Sequence, residues 1–516
     1  MSLSIFLLWM VSIPLLVHSD TAQLRGLLIS CGSSQKQTMP DTNLTYIPDD
    51  GFVFAGNKTS LNQTGLLPIL STLRYFSQRW ARKFCYTFQV VKGGKYLVRT
   101  IYFYGGFDGG KEPPVFDQII GGTKWSTVNT TEDYANGLSS YYEIIVRAHL
   151  KTLSVCFARN RHTAKNSSPF ISAIELLTLE DSMYNATDFD SLALVTVARS
   201  SFGSEDSISF PDDPYYRFWQ PFTDKNEVVS SQTKVTTSEF WNKPPEVIFT
   251  KAIAAGAGKE LEISWPPGSL PATKYHISLY FQDNRSPGDD AWRVFTVEIN
   301  GKAFYNNVKV STGGVSIYSP GWPLSGQTQI SLSPDAKSSA GPLINAGEIY
   351  QILPFGRRTL TREVGVMEEL ARGFDHPPAD WAGDPCLPKD NSWTGITCSE
   401  KDMRTRIISV DLKNAGVGGI LTPSLNGLTE LHHLWLGGNN ISGSIPDLSS
   451  LQMLETLHLE NNSFTGKIPE SLGRLPNLRE VLLRDNNLEG SIPSNLVDKK
   501  GLRLEVTPGN NLSTNN

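Results

Sequence analysis

Cys386 and Cys398 bracket a stretch rich in Pro, Gly and Trp, WAGDPCLPKDNSWTGITC (381–398), and are two of only five cysteines in 516 residues. Thiols this close can bridge, hold a metal or cycle between redox states. A redox or zinc site asks for C-x-x-C spacing or clustered histidines, and neither is present. A structural disulfide between Cys386 and Cys398 is therefore expected. Other catalytic patterns fail on inspection. GAGK (256–259) has the wrong glycine spacing for a phosphate loop, and Glu260 stands where Ser or Thr is needed. None of the eight histidines forms H-E-x-x-H. The acidic pairs Asp212-Asp213 and Asp289-Asp290 sit among turn residues, where solvated carboxylates are expected and nothing signals the facing pair of a glycosidase. No catalytic residue, metal site or cofactor is expected.

What remains is recognition chemistry. In YFYGGFD (102–108), Tyr102, Tyr104 and Asp108 combine aromatic faces with a polar hydrogen-bonder, the composition of a sugar site. The competing expectation is that the two tyrosines, two residues apart, point together into a sandwich core.

A second candidate surface comes from a repeat. Leu431, Leu434, Leu436 and Asn439 follow L-x-x-L-x-L-x-x-N, as do Leu454, Leu457, Leu459 and Asn462, then Leu478, Val481, Leu483 and Asn486. G-x-I-P follows each asparagine. An earlier unit has Val410 and Leu412 but Ala415 in place of Asn, and a partial last unit runs through Leu502, Leu504 and Val506. This is a leucine-rich repeat: one strand and a return loop per unit, leucines shared inward, and asparagines laddered along the turns. Residues between the leucines face outward on the concave side. They form columns of Trp435, His458 and Leu482, of Gly437, Glu460 and Arg484, and of His432, Glu455 and Arg479. An exposed tryptophan among histidines and charges has the makings of an interface hot spot, so Trp435, His458, His432, Glu460 and Arg484 are the ligand-binding candidates.

The first repeat of a solenoid needs a cap, and a cap of about 25 residues is too small to build a core unaided. The Cys386–Cys398 loop supplies it. Val364, Met367, Leu370 and Phe374 recur at helical spacing, so a capping helix ending near Gly373 is expected ahead of Pro377-Pro378.

Upstream, alternating runs such as YLVRTIYFYGG (96–106), YYEIIVRA (141–148) and YHISLYFQD (275–283) separate Gly/Pro/Asn turns and read as antiparallel sandwich. The region echoes itself at an offset of about 175 residues: PFISAIELLTL at 169 returns as PLINAGEIYQIL at 342. Two related sandwiches follow. Residues 1–19 read as a signal peptide, with an apolar run (5–17) too short for a bilayer and Val17-His18-Ser19 before the cut. Sequons at Asn43, Asn57, Asn62, Asn129, Asn166, Asn185, Asn440, Asn461 and Asn511 agree with an extracellular address; at Asn284 the following Pro287 weakens the signal. Of the other cysteines, Cys85 and Cys156 sit in strand-like sequence and are able to pair with each other, and an odd thiol remains. With net charge −5 and no basic stretch, no nucleic-acid partner is expected.

LISCGSS (28–34), RKFCYTF (82–88), YLVRTIYFYGGFDG (96–109), PFISAIEL (169–176) and FPDDPYYRFWQPF (210–222) together resemble the plant malectin-like domain, a tandem of two malectin folds. GDPC (383–386), just after Trp381, resembles the motif that joins such a domain to a few leucine-rich repeats in the symbiosis-receptor-kinase-like group. The resemblance covers nearly all of the chain. It implies a mostly β fold: tandem malectin-like β-sandwiches of jelly-roll type followed by a short leucine-rich-repeat solenoid. The expected limits are 20–194 and 195–355 for the two modules, 356–404 for linker, helix and Cys cap, and 405–516 for the repeats and a polar tail. Family members usually continue into a transmembrane helix and a cytoplasmic serine/threonine kinase. The chain stops at Asn516 with neither. The expectation is thus a non-enzymatic receptor ectodomain, secreted or on the outer face of the plasma membrane. It would bind an extracellular ligand or co-receptor, whether peptide, protein or cell-wall carbohydrate, for a kinase. The alternatives are a carbohydrate-active enzyme of the cell wall or a secreted decoy of a membrane-bound receptor.

Overall fold

The computed structural model describes residues 25–513 apart from 111, 233, 236, 238–239, 286–292, 357 and 402–403. The expected signal peptide and Asp289-Asp290 lie outside the described residues.

β-Branched and aromatic residues at period two make the strands of the first sandwich. Lys95–Tyr102 pairs along its whole length with Ser140–Arg147, and Ala173–Leu179 pairs on its other side. Phe84–Gln89, Thr152–Arg159, Phe116–Ile120 and Thr123–Val128 form the facing layer. The second sandwich repeats the plan. Leu192–Phe202, Ala346–Pro354, Leu270–Phe281 and Val315–Gly326 face Leu261–Ser264, Gln329–Pro334, Arg293–Ile299 and Lys302–Val310. GAGK is the turn before Leu261–Ser264.

The two sandwiches are fused more closely than the sequence echo suggests. Ile144 and Ile145 of the first lie opposite Val195 and Leu194 in Leu192–Phe202, the opening strand of the second, inside which the expected 194/195 limit falls. One sheet, eleven-stranded among the described residues, therefore runs through both modules.

Thr361–Gly373 is the capping helix, its Val364, Val366, Met367 and Leu370 buried. Trp381 and Trp393 stack at 5.3 Å beneath it, and Phe374 leans on Trp381 at 5.9 Å. These rings and the buried Cys386 share one apolar core with the repeat leucines. The concave sheet runs Ile396–Lys401, Arg404–Asp411, His433–Trp435, Thr456–His458, Glu480–Leu482, Arg503–Glu505, parallel after the first pair.

The asparagine ladder satisfies backbone groups at every turn. Asn439 donates to Leu412 O (2.7 Å) and accepts from Val417 N (3.1 Å), and Asn462 and Asn486 repeat this one unit on. Asn510 adds a rung that the repeat pattern hides, donating to Leu483 O at 2.7 Å and accepting from Leu488 N at 2.9 Å. Four positions separate Val506 from Asn510, against three from Leu483 to Asn486, so the motif spacing fails while the geometry survives.

Candidate functional site

The concave face of the solenoid gathers five of the candidate residues, Trp435, His458, His432, Glu460 and Arg484. Strand alternation sends Leu434 inward and both His433 and Trp435 outward. The ladder sets His433 beside Thr456 and Trp435 beside His458. The rings then stack sideways: Trp435 lies 5.1 Å from His433 and 5.6 Å from His458, nearly parallel to the latter at 22°. Lys413 Nζ sits 4.1 Å from the centre of the Trp435 ring, a cation–π contact. The indole N–H donates to Thr456 Oγ1 at 2.6 Å. Trp435 is thus half-buried and braced, not the freely exposed ring expected.

Charges frame this ribbon. His432 meets Glu455 at 3.1 Å, and His458 meets Glu480 at 3.1 Å. Arg503 pairs with Glu480 at 2.6 Å, while Arg484 holds Asp485 at 2.8 Å and Glu505 at 3.5 Å. Partial burial holds the His433 imidazole below its ordinary value, with His432 and His458 adding and Glu455 opposing. Glu460 lies across Gly437, where a side chain would collide with it, and one Glu460 carboxylate oxygen is buried without a hydrogen-bond partner. The column of His433, Thr456, Glu480 and Arg503 escaped the sequence reading. Period-two alternation about Trp435 is the signal that finds it.

The aromatic candidates of the first module go elsewhere. Tyr102 and Tyr104 are buried, at 0% and 1% exposure. Tyr102 donates to Gln118 Oε1 at 2.8 Å, and Tyr104 donates to Asp108. Asp108 also accepts from Gly110 N at 3.0 Å, closing the exposed turn. The core packing overturns the expected sugar platform, because neither ring offers a face to solvent.

Asp213 corrects a second expectation. It is fully buried, paired to Arg217 at 2.8 Å, and accepts from Trp219 Nε1 at 2.7 Å. The 210–222 motif roofs a buried ionic network between the sandwiches. Glu143 of the first module binds Arg99 (2.7 Å) and Arg199 of the second (2.8 Å). Arg199 continues to Glu348 at 2.9 Å, and Arg99 to Glu175. Burial works against the Glu143 carboxylate, yet Arg199 and Arg99 outweigh it and hold the group at about 2. Arg99 lies 3.6 Å from the centre of the Phe218 ring.

The GDPC box docks on the first module. Gly383 covers the Cys85–Cys156 disulfide so closely that a Cβ there would stand 3.1 and 3.2 Å from the two sulfurs. Lys83, buried at 1% exposure, donates to Asp384 O (2.5 Å) and Leu387 O (2.6 Å). Burial pushes its ammonium down to about 8, with Asp384 and Asp380 resisting. Arg82 N donates to Asp380 Oδ2 at 3.1 Å. The expected Cys386–Cys398 bridge is formed. Cys31 is the odd thiol, buried, its pKa raised well above the ordinary value chiefly by that burial. All nine expected sequon asparagines are exposed, and Asn440, Asn461 and Asn511 lie on turns or on the second sheet of the solenoid, off the concave strands.

These parts define a class: two fused β-sandwiches clamped to a short leucine-rich solenoid. The malectin-like domain model matches residues 29–352, and the leucine-rich-repeat model matches 430–451 and 453–475. The chain belongs to the malectin-like family. A leucine-rich repeat receptor-like serine/threonine-protein kinase of Arabidopsis thaliana is 31% identical over 81% of this chain and 49% of its own length. A probable LRR receptor-like serine/threonine-protein kinase of the same plant is 31% identical over 87% of this chain and 49% of its own. The chain spans about half the length of these curated relatives. Among solved structures, the plant receptor-like kinase FER (TM-score 0.52, 18% identity) covers 64% of this chain and 96% of its own. The ANXUR1 extracellular domain of Arabidopsis thaliana (TM-score 0.53, 16% identity) covers 64% and 97%. FER also appears in a complex with the plant peptide RALF23 and LLG2. No described helix is long and apolar enough to cross a membrane.

Proposed function

We propose that this chain is the extracellular recognition part of a receptor-like protein, and that the concave face of its solenoid captures a secreted peptide or a co-receptor protein for a kinase. The observation that carries this reading is the braced ribbon of His433, Trp435 and His458 on a face free of sequons. A preorganised aromatic anchor loses little entropy on binding, and the charged rim around it supplies orientation. The complex of FER with a peptide and a second protein supports the partner class. The buried network gives an enzymatic reading no support, since its carboxylates are ion-paired inside the fold instead of facing a cleft.

The test is a biosensor screen of the immobilised chain against secreted plant peptides and receptor ectodomains. For the partner captured, Trp435→Ala is expected to weaken affinity at least tenfold with the melting temperature unchanged. Wild-type affinity in the folded variant would move the site to the malectin-like modules.

A further inference from the structure

A second candidate site lies at the seam where the first sandwich, the connector residues Phe355, Arg358 and Thr359, the capping helix and the GDPC box meet. The cavity there is about 110 Å³ and opens to solvent, smaller than the roughly 300–1,000 Å³ of drug-sized sites, so it suits a small organic group.

Its polar groups are unevenly matched. His149 Nε2 is buried without a hydrogen-bond partner, and its ring stands edge-on to Phe355 at 5.9 Å. Arg358 lies over the same Phe355 ring at 4.9 Å and donates to Asp190 O at 3.0 Å. No carboxylate forms an ion pair with Arg358 among the described residues. Arg147 meets the exposed Asp190 carboxylate at 3.2 Å and Gly93 O at 3.0 Å. Each guanidinium carries five N–H donors, so most remain unspent. The local field is positive: burial first, then Arg358 and Arg147, push His149 down to about 4 against Asp190.

The opposite end does not supply the missing anion. Asp384 already accepts from Thr359 Oγ1 (2.5 Å) and from the amides of Cys386 (2.9 Å) and Leu387 (3.0 Å). Glu368 has only a 3.5 Å hydroxyl contact from Thr152, and burial raises its carboxyl pKa. Ile120, Leu150, Leu153 and Val364 add apolar wall.

We infer that this seam pocket binds an organic carboxylate with an apolar body, the carboxylate held by Arg358, Arg147 and His149. Charge-assisted bonds from guanidinium to carboxylate supply orientation, and the aliphatic wall supplies contact area. The same chemistry arises in a free carboxylic acid and in the C-terminal residue of a peptide.

The test is calorimetric titration of the whole chain with 4-phenylbutyrate, with 4-phenylbutanol, and with Gly-Gly-Phe as free acid and as amide. The expected result is saturable binding of a carboxylate, with its uncharged analogue at least tenfold weaker. Arg358→Gln is expected to weaken that carboxylate at least tenfold and to leave Trp435-dependent partner capture unchanged. His149→Gln is expected to do the same, and serves if Arg358→Gln disturbs the connector. Binding of 4-phenylbutyrate assigns the site to free acids; binding of Gly-Gly-Phe acid alone assigns it to a peptide C-terminus. Three results would overturn the proposal: no saturable binding of either acid, equal binding of the acid and its uncharged analogue, or wild-type affinity in both folded variants.

Discussion

The sandwich pair and the solenoid solve the same burial problem in opposite ways. In the solenoid each strand touches its sequence neighbour, and one asparagine per unit closes the turn. Damage there stays local, because stability is close to a sum over units and their interfaces. In the sandwich pair, strands distant in sequence share one sheet, and Arg99, Glu143, Arg199 and Glu348 share charge across the module boundary. Losing one member strands its partners in a dry interior. Regular architecture is therefore tolerant and fused architecture is not.

The sharpest break in this comparison is Arg199→Met. It leaves Glu143 and Glu348 buried with one cation fewer, at a cost of roughly 3–5 kcal/mol. Chemical denaturation with hydrogen exchange should show both sandwiches loosening together while the repeats keep their protection. Loosening of the second sandwich alone would refute the fusion.

Cys386→Ser probes the solenoid side. The closed loop, with a sequence separation of 12, contributes roughly 3 kcal/mol in the chain-entropy model. Exchange protection should fall in the capping helix and first repeat and recover toward the last. Uniform loss across the solenoid would contradict local behaviour.

Acid separates the regions further. His276, 1% exposed, is pushed by burial from 6.5 down to about 4, with Glu348 opposing. Its folded pKa lies below the unfolded one, so the unfolded chain binds the proton first, and stability falls as pH drops through the window between them. Between pH 7 and 5 the loss is about 2 kcal/mol by linkage. His276→Gln should flatten the pH dependence of sandwich melting; an unaltered slope would assign the effect elsewhere.

The smallest effect is expected at the seam that joins the regions. Gly383 has φ +74°, and a Cβ there would stand 3.1 Å from a disulfide sulfur, tighter than ordinary contact. Gly383→Ala should cost about 1 kcal/mol through strain and overpacking. Exchange protection of 380–394 should drop with both regions still folded; unchanged protection would mean that the close approach carries no weight.

Legibility in the sequence follows the same division. The repeats, the helix of Val364, Met367 and Leu370 and the Cys386–Cys398 cap were readable because their determinants are local and periodic. Asn510 was hidden by one added residue. The sandwiches were readable as alternation and as a family resemblance, but the network was not. Asp213 sits among prolines and aspartates like any solvated turn residue, and only the third dimension brings Arg217 and Trp219 onto it. Tyr102 and Tyr104 had the right types for a sugar site, and period two alone does not say which face is core. On the concave face, Trp435 was legible and its bracing by Lys413 was not, since Lys413 belongs to the preceding repeat.

Lys83 and Asp384, joined in the fold, are 301 positions apart in the chain. A chain made from its N-terminus completes the first sandwich, with its Cys85–Cys156 bridge, long before residue 383 leaves the ribosome. The box then arrives at a finished template instead of searching for a moving one. Capping helix and first repeat start from an anchored seed, and later units add outward in the order in which they are translated.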